Sequence, residues 1–146
     1  MAKITSIEGR LLYNSRGSKT IEVDIIADNK FRGRVCAPSG ASVGKYEAVS
    51  FPNEKPEESL QILKNNSQKF IGLDVTDLKS IHDTLKSLDN SSNYSGIGGA
   101  LAFAVTIASM ESASKSLDQP LFQTLSSESS FKFPYPLGNI LGGGAH

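Results

Sequence analysis

Two stretches of this sequence are candidates for ligand binding, and the first is Ala37–Glu47. It is rich in Gly, Ser and Ala, residues from which no core can be built. Gly accepts positive φ and leaves room for a close backbone approach, and Ser hydroxyls offer small oxygen ligands or hydrogen-bonding groups. The composition fits a mobile loop that approaches a ligand. It also fits an ordinary surface loop, which composition alone favours.

The second stretch is Leu137–His146, in which consecutive glycines precede Ala145 and His146. A backbone with so few side chains can bring an imidazole against a ligand. A flexible tail with a chance histidine is the alternative, and composition alone favours it. The apolar pair Ile140 and Leu141 is typical of the start of a buried strand, so the sequence reads as if it were cut off there.

A nucleotide-binding P-loop is a third candidate, because the segment from Ser39 to Tyr46 nearly fits the pattern G-x-x-x-x-G-K-[ST]. The fit fails at both ends: Ser39 replaces the first Gly, and Tyr46 replaces the Ser or Thr that would hold magnesium. The surrounding sequence also lacks the strand–helix–strand pattern of a parallel sheet. We therefore reject this candidate.

Composition narrows the range of partners. The chain has 146 residues, enough for one domain with a real core. Its 15 basic and 15 acidic residues give a formal net charge of zero, which argues against nucleic acid or an anionic membrane as the main partner. The single cysteine, Cys36, excludes an internal disulfide and a cysteine-based zinc site and agrees with a reducing compartment. The N-terminus lacks an apolar signal-peptide core, so we expect a cytoplasmic protein.

One long segment, Ser91–Met110, contains no charged residue. Its Gly, Ser, Thr and Asn content is far too polar for a bilayer span, which needs about 20 predominantly apolar residues. We interpret it as a loop that leads into a buried helix.

The elements that must position these stretches begin with three strands. Ile4–Tyr13 is the first and ends at the turn-forming cluster Asn14–Gly17, and alternating apolar residues predict strands at Thr20–Ala27 and Phe31–Ala37. A three-residue connection, Asp28–Lys30, keeps the apolar side chains of both strands on one face, whereas a two-residue turn would not. The predicted register pairs Ala27 with Phe31, Ile25 with Gly33, Val23 with Val35 and Asp24 with Arg34.

Four helices are predicted after the loop. The first begins at Pro56 and is stopped by Gly72, and the second has Thr76 as its N-cap. The third covers Gly98–Leu117, where small residues permit close packing, so we place it centrally; the fourth covers Pro120–Leu125. The apolar positions of the first two helices are Leu60, Leu63, Phe70 and Ile71, then Leu78, Ile81, Leu85 and Leu88. His82 lies beside the apolar positions of the second helix, where an exposed histidine is favoured over a metal or substrate ligand. Three strands followed by four helices give an α+β domain, an antiparallel meander with helices on one side.

Five stretches in order resemble the N-terminal part of enolases: Asn14–Val23, Ala37–Glu47, Ile97–Gly99, Gln119–Phe122 and Asn139–His146. The resemblance extends over nearly the whole chain. It implies a three-strand, four-helix domain that caps a larger β/α barrel. It also implies the dehydration of 2-phosphoglycerate to phosphoenolpyruvate with two Mg²⁺ ions, and a homodimer or higher oligomer for the complete enzyme.

Residue by residue, the resemblance makes Ser42 the ligand of the second, catalytic magnesium ion through its hydroxyl and carbonyl oxygens. Mg²⁺ prefers such hard oxygen ligands. Gly40 and Gly44 would act as hinges of the loop, with Gly40 and Ala41 close to the substrate. His146 matches an active-site histidine near the substrate. Arg16 and Glu22 match positions with structural roles at the dimer contact and the cap–barrel junction.

The sequence departs from the family pattern at Lys19, Val43, His82 and Ala100, where Pro, Thr, an acidic residue and Asn are usual. Neither Ser42 nor His146 is affected. The family's main metal-binding carboxylates, lysine base and proton donor would lie beyond residue 146, so only one magnesium ligand and no catalytic residue fall in this sequence. We expect residues 1–133 to form the cap and residues 134–146 to begin the barrel. The alternative hypothesis is a non-catalytic, enolase-like binding or scaffold module.

Overall fold

The computed structural model describes residues 1–40, 44–126, 128 and 130–140. Its three strands come first: β1 (Ile4–Tyr13), β2 (Lys19–Ala27) and β3 (Phe31–Cys36). Four α-helices follow within the described residues: α1 (Pro56–Asn66), α2 (Leu78–Leu88), α3 (Gly99–Ser116) and α4 (Leu121–Thr124). The α+β architecture expected from the sequence is confirmed.

The strands form one sheet in the order β1-β2-β3, and both pairings are antiparallel. The predicted register of the second hairpin is confirmed: Ala27 lies opposite Phe31, and Val23 lies opposite Val35. Because β2 runs against both neighbours, β1 and β3 run in the same direction. The turn after β1 and the loop after β3 therefore leave the sheet at the same end, where both strands have their C-termini.

The core lies on one face of the sheet, under the helices. β2 supplies a row of fully buried side chains, Ile21, Val23 and Ile25, which alternate with polar residues of the opposite face. Helix α3 packs on β2 and β3, while α1 packs mainly on β1. The buried small residues of α3 allow it to lie close to the sheet, and its predicted central position is confirmed.

The first helix is shorter than predicted. Helix α1 ends at Asn66, and a 3₁₀ turn covers Ser67–Lys69 before Gly72, which has φ 84°. The Asn66 side-chain amide donates to the carbonyl of Ile62, so it satisfies a carbonyl near the end of the helix. Phe70 is fully buried, but Ile71 is 38% exposed and does not belong to the buried stripe.

The N-cap prediction for the second helix was wrong by one residue. Asp77, not Thr76, caps α2: its carboxylate accepts hydrogen bonds from the backbone N–H and the hydroxyl of Ser80. Thr76 instead donates from its backbone N–H and its hydroxyl to the carboxylate of Asp74. His82 is exposed on α2, as expected.

A buried carboxylate holds the loop that leads into α3. Asp89 accepts hydrogen bonds from the backbone N–H groups of Ser91 at 2.8 Å, Gly96 at 2.8 Å and Ile97 at 2.9 Å. Burial raises the pKa of Asp89, but hydrogen bonds from these three residues outweigh it, so the pKa lies below its usual value. The uncharged segment is thus a fixed loop followed by a buried helix. Among the described helices, none combines the length and apolar character needed to cross a bilayer.

Candidate functional site

The candidate loop leaves the sheet directly after β3. Ala37 is buried, and its backbone N–H donates to the carbonyl of Ile21 at 2.9 Å, while its carbonyl accepts from the hydroxyl of Thr20 at 2.9 Å. Pro38, Ser39 and Gly40 then extend into solvent. Ala41 and Ser42, both predicted site residues, lie outside the described part of the chain, as does Val43.

The incoming side of the loop is held by the turn after β1. The Arg16 guanidinium donates to the carbonyl oxygens of Ser39 at 2.7 Å and Gly40 at 3.0 Å, and contacts the Ser39 hydroxyl at 3.3 Å. The Asn14 side-chain amide donates to the same hydroxyl at 2.8 Å. Arg16 therefore holds the backbone at both residues that precede residue 41, and Asn14 holds the side chain of Ser39.

The outgoing side of the loop has its own contacts. The backbone N–H of Gly44 donates to the Glu47 carboxylate at 2.6 Å, and the carbonyl of Gly44 accepts from the backbone N–H of Glu47 at 3.1 Å. Farther along, the carbonyl of Val49 accepts from Gly99 at 2.7 Å, at the start of α3. The predicted hinge glycines, Gly40 and Gly44, thus both carry backbone hydrogen bonds to side chains.

A small cavity lies between the two sides of the loop and the start of α3. It is an open depression of about 190 Å³, and its lining includes Pro38 and Glu47 from the loop and Gly99, Ala100 and Phe103 from the helix. The loop is therefore attached both to the end of the sheet and to the first turn of the central helix.

The donor chemistry near the loop fits a hard cation only in part. The residues around the loop offer hydroxyl and carbonyl oxygens, which are of the type that Mg²⁺ prefers. However, the Ser39 hydroxyl and the Ser39 and Gly40 carbonyls are already bonded to Asn14 and Arg16. In the part of the chain that the structure describes, no group of three or more His, Cys, Asp or Glu side chains is placed to hold a metal ion.

The C-terminal candidate cannot be placed relative to the loop, because His146 lies outside the described residues. Before it, residues 130–140 contain neither helix nor strand, and Phe133, Tyr135, Leu137 and Ile140 are almost fully exposed. These apolar side chains have no place in the core of this domain.

The sheet face opposite the helices carries a second cluster of functional groups. Arg34 forms a bidentate pair with Asp24, with both distances 2.8 Å, and Arg10 pairs with Glu22. The Cys36 thiol donates to Glu22 at 3.0 Å. This bond and those from Arg10 lower the pKa of Glu22, and the Arg34 pair lowers that of Asp24. Burial and the Glu22 carboxylate raise the pKa of Cys36 to about 11, so this thiol is not activated.

Sequence reasoning anticipated the Asp24–Arg34 pair but missed the contacts of Arg16 and Asn14 with the loop. The predicted order of the three antiparallel strands could have indicated these contacts. Because β1 and β3 run in the same direction, the turn Asn14–Gly17 and the loop after Cys36 had to emerge at one end of the sheet. The sequence had indicated only a turn at the first of these positions.

Comparison with known proteins agrees with this architecture. Residues 4–125 match the family described as the N-terminal domain of enolase. The chain is 40% identical over 144 residues to an enolase of Methanothermobacter thermautotrophicus, covering 98% of this chain and 34% of that protein. It is 40% identical over 146 residues to an enolase of Methanocorpusculum labreanum, covering 100% of this chain and 36% of that protein. An enolase of Methanosphaera stadtmanae is 38% identical over 144 residues, which is 98% of this chain and 34% of that protein. The chain thus spans about a third of the length of these relatives, and it belongs to the enolase N-terminal domain family.

Proposed function

We propose that this chain is the capping domain of a magnesium-dependent enolase, which dehydrates 2-phosphoglycerate to phosphoenolpyruvate. The observation that supports this most is the loop after β3, held at Gly40 by Arg16 and at Gly44 by Glu47. Between these points lie Ala41, Ser42 and Val43, which include the predicted metal ligand. A cytoplasmic location and a glycolytic role are part of the same proposal.

In the proposed mechanism, this chain contributes to the binding of Mg²⁺ and substrate and excludes water from the site. It transfers no proton. Ser42 would hold one of the two Mg²⁺ ions through its hydroxyl and carbonyl oxygens, and the ions supply stabilisation of the negative charge that develops on the substrate. Gly40 and Ala41 would bring the backbone close to the substrate, and closure of the loop would remove water from the site. His146 would contact the substrate from the start of the next domain.

The proposal divides the chain into a cap, residues 1–133, and the first part of a barrel, residues 134–146. The family match ends at residue 125, and the last described helix ends at Thr124, which supports a boundary shortly afterwards. The exposed apolar side chains Phe133, Tyr135, Leu137 and Ile140 are what the first buried segment of a further domain would present. The cap's principal partner would then be its own C-terminal barrel.

Enzyme assays on two preparations test the proposal. The complete polypeptide encoded by the gene, supplied with 2-phosphoglycerate and Mg²⁺, is expected to produce phosphoenolpyruvate, detected by its ultraviolet absorbance. Residues 1–146 alone are expected to show no turnover, because the base and the remaining metal ligands are not among them. A complete polypeptide that folds and binds Mg²⁺ but has no turnover would instead favour the non-catalytic scaffold module.

The complete protein is further proposed to be a homodimer or higher oligomer. The sheet face opposite the helices supports this, because it carries charged groups that are already ordered by mutual ion pairs: Arg10, Glu22, Asp24 and Arg34. A partner surface could therefore contact them at a small cost in side-chain entropy. Light scattering should give at least twice the mass of one chain, and the double variant Arg10→Glu/Arg34→Glu should shift that mass toward the monomer. A monomeric wild-type protein would contradict the proposal.

A further inference from the structure

The two outer strands of the sheet differ in how their free edges are covered. On β3, the backbone N–H of Arg34 donates to the Glu111 carboxylate at 3.1 Å. The carbonyl of Arg32, on the same edge, accepts from the Lys115 ammonium at 2.5 Å. Charged side chains of α3 thus occupy the backbone groups at which a further strand would pair, and such side chains protect an edge strand from further pairing.

The middle of β1 has no comparable cover. Val23 and Ile25 of β2 form their backbone hydrogen bonds with β3, because Arg34, between their two partners on β3, directs its N–H outward. Opposite them on β1 lie Gly9 and Ile7, whose backbone N–H and C=O groups therefore point away from β2. In the described part of the chain, no hydrogen bond reaches these outward groups.

A groove runs beside this free edge, between β1 and α1. It is an open depression of about 650 Å³, and its apolar lining includes Ile7, Leu60 and Leu63. Charged side chains of α1, Glu57 and Lys64, also line it. The outward backbone groups of β1 therefore lie beside an apolar surface, which is the arrangement in which an extended strand adds to the edge of a sheet.

The charges of β1 favour a second copy of the same strand as the occupant of this edge. In an antiparallel pair of β1 strands, outward-facing residues such as Ile7 and Gly9 must lie opposite each other, which permits only every second register. Of the three registers that pair most of the strand, one places Glu8 opposite Glu8 and another places Arg10 opposite Arg10. The register centred on Gly9 instead places Glu8 opposite Arg10, twice in the symmetric pair, and opposite charges stabilise such a pair of strands.

The surroundings of Glu8 agree with this register. Among the ion pairs of the described residues, none includes Glu8, and another carboxylate, Asp24, lies opposite it on β2. Arg10 of a second copy would supply the missing positive charge. Helix α1 is complementary to itself in the same way: its first turn holds Glu57 and its last turn Lys64, and the symmetry that makes the strands antiparallel makes the two helices antiparallel as well.

We propose that two copies of this chain pair through the free edges of their β1 strands, antiparallel and centred on Gly9, so that the two sheets join into one sheet of six strands. The contact uses the edge of the sheet and is distinct from a contact through the sheet face opposite the helices. Because α3 covers the edge of β3, the joined sheet ends at β3 on both sides. The inference does not depend on the proposed catalytic role.

The test uses the complete polypeptide and begins with Glu8→Arg. This change sets two positive charges against each other at both symmetric positions of the contact, while within its own chain the substituted side chain lies opposite Asp24 and leaves the sheet intact. Sedimentation equilibrium is expected to show a dissociation constant that is raised at least about tenfold. Asp83→Arg is the matched control: it makes the same change of charge at an exposed position of α2, which packs on α3, and should leave the dissociation constant unchanged.

Amide hydrogen exchange, followed by NMR, locates the contact. The amides of Ile7 and Gly9 are expected to exchange at least about tenfold more slowly at a protein concentration well above the dissociation constant than at one well below it. The Arg34 amide, which is bonded to Glu111, should exchange at the same rate at both concentrations. In Glu8→Arg the dependence on concentration should disappear.

Three results would overturn the inference. The first is a wild-type protein that stays monomeric. The second is an association that leaves the amides of Ile7 and Gly9 unprotected or is unaffected by Glu8→Arg, since the copies would then meet at another surface. The third is protection of these amides at every concentration, because another part of the same polypeptide would then cover the edge. Pairing at β1 in a protein without turnover would defeat the proposed function alone.

Discussion

Replacing Gly33 by Ala is expected to cost about 3 kcal/mol or more of the free energy of unfolding, the largest single effect we expect on the fold. A Cβ atom at this position would lie 1.8 Å from the carbonyl oxygen of Ala108 and 2.8 Å from the backbone nitrogen of Ser112. These atoms belong to the backbone of α3, so relief requires the helix to move away from β3. That movement would separate the central helix from the sheet that forms the core.

Gly9→Ala is the matched comparison, because Gly9 also lies under a helix on the same face of the sheet. Its Cβ would meet the ends of two flexible side chains, Leu60 at 2.7 Å and Leu63 at 3.0 Å. Leucine ends can rotate where a helix backbone cannot, so we expect a loss of about 1 kcal/mol. Urea unfolding followed by circular dichroism would measure both. Equal losses would show that α3 does not depend on its close contact with Gly33.

The strands could be predicted well because their pattern is strong and local. Apolar residues alternate through β2 and β3, and only an odd connection at Asp28–Lys30 keeps them on one face. The register was therefore predictable down to the pair Asp24 and Arg34. The uncharged run Ser91–Met110 likewise identified α3, since a long uncharged segment that ends in small and apolar residues has few other places in a domain of this size.

The ends of helices were less predictable because they depend on competition between neighbouring polar groups. Thr76 and Asp77 are both good N-cap types, and the choice falls to Asp77 because Asp74 engages Thr76. The apolar periodicity of α1 continues past Asn66, but the helix ends there: the Asn66 side chain bonds to the carbonyl of Ile62, and a 3₁₀ turn follows. Sequence patterns show which residues can cap a helix. They do not show which of several neighbouring candidates does so.

The candidate site, too, could be predicted only in part. Composition identified the loop and the resemblance singled out Ser42, but neither indicated that Arg16 would bond to Ser39 and Gly40. That contact joins residues more than 20 positions apart and depends on the orientation of a turn fixed by Asn14. Local patterns hold no such information. The sheet topology did place both segments at one end of the sheet, so the contact can be anticipated once the strand order is known.

Ser42→Ala in the complete polypeptide is expected to have the largest effect on function. The substitution removes the hydroxyl that is proposed to bind the second magnesium ion and leaves the backbone carbonyl in place. Because an inner ligand should matter more than the roughly tenfold effect of an outer residue, we expect the half-saturating Mg²⁺ concentration to rise by about 100-fold and kcat to fall with it. Initial rates of phosphoenolpyruvate formation across a magnesium titration provide the measurement.

Ser95→Ala is the control, since Ser95 is an exposed serine in the loop before α3 and has no proposed role in the site. Ser42→Thr provides a second comparison, because it keeps a hydroxyl and should retain more of the magnesium affinity than the Ala variant. The Ser39 hydroxyl cannot readily take over the role, as it is already bonded to Asn14 and Arg16. If Ser42→Ala were to keep the magnesium dependence of the wild-type protein, Ser42 would not be the proposed metal ligand.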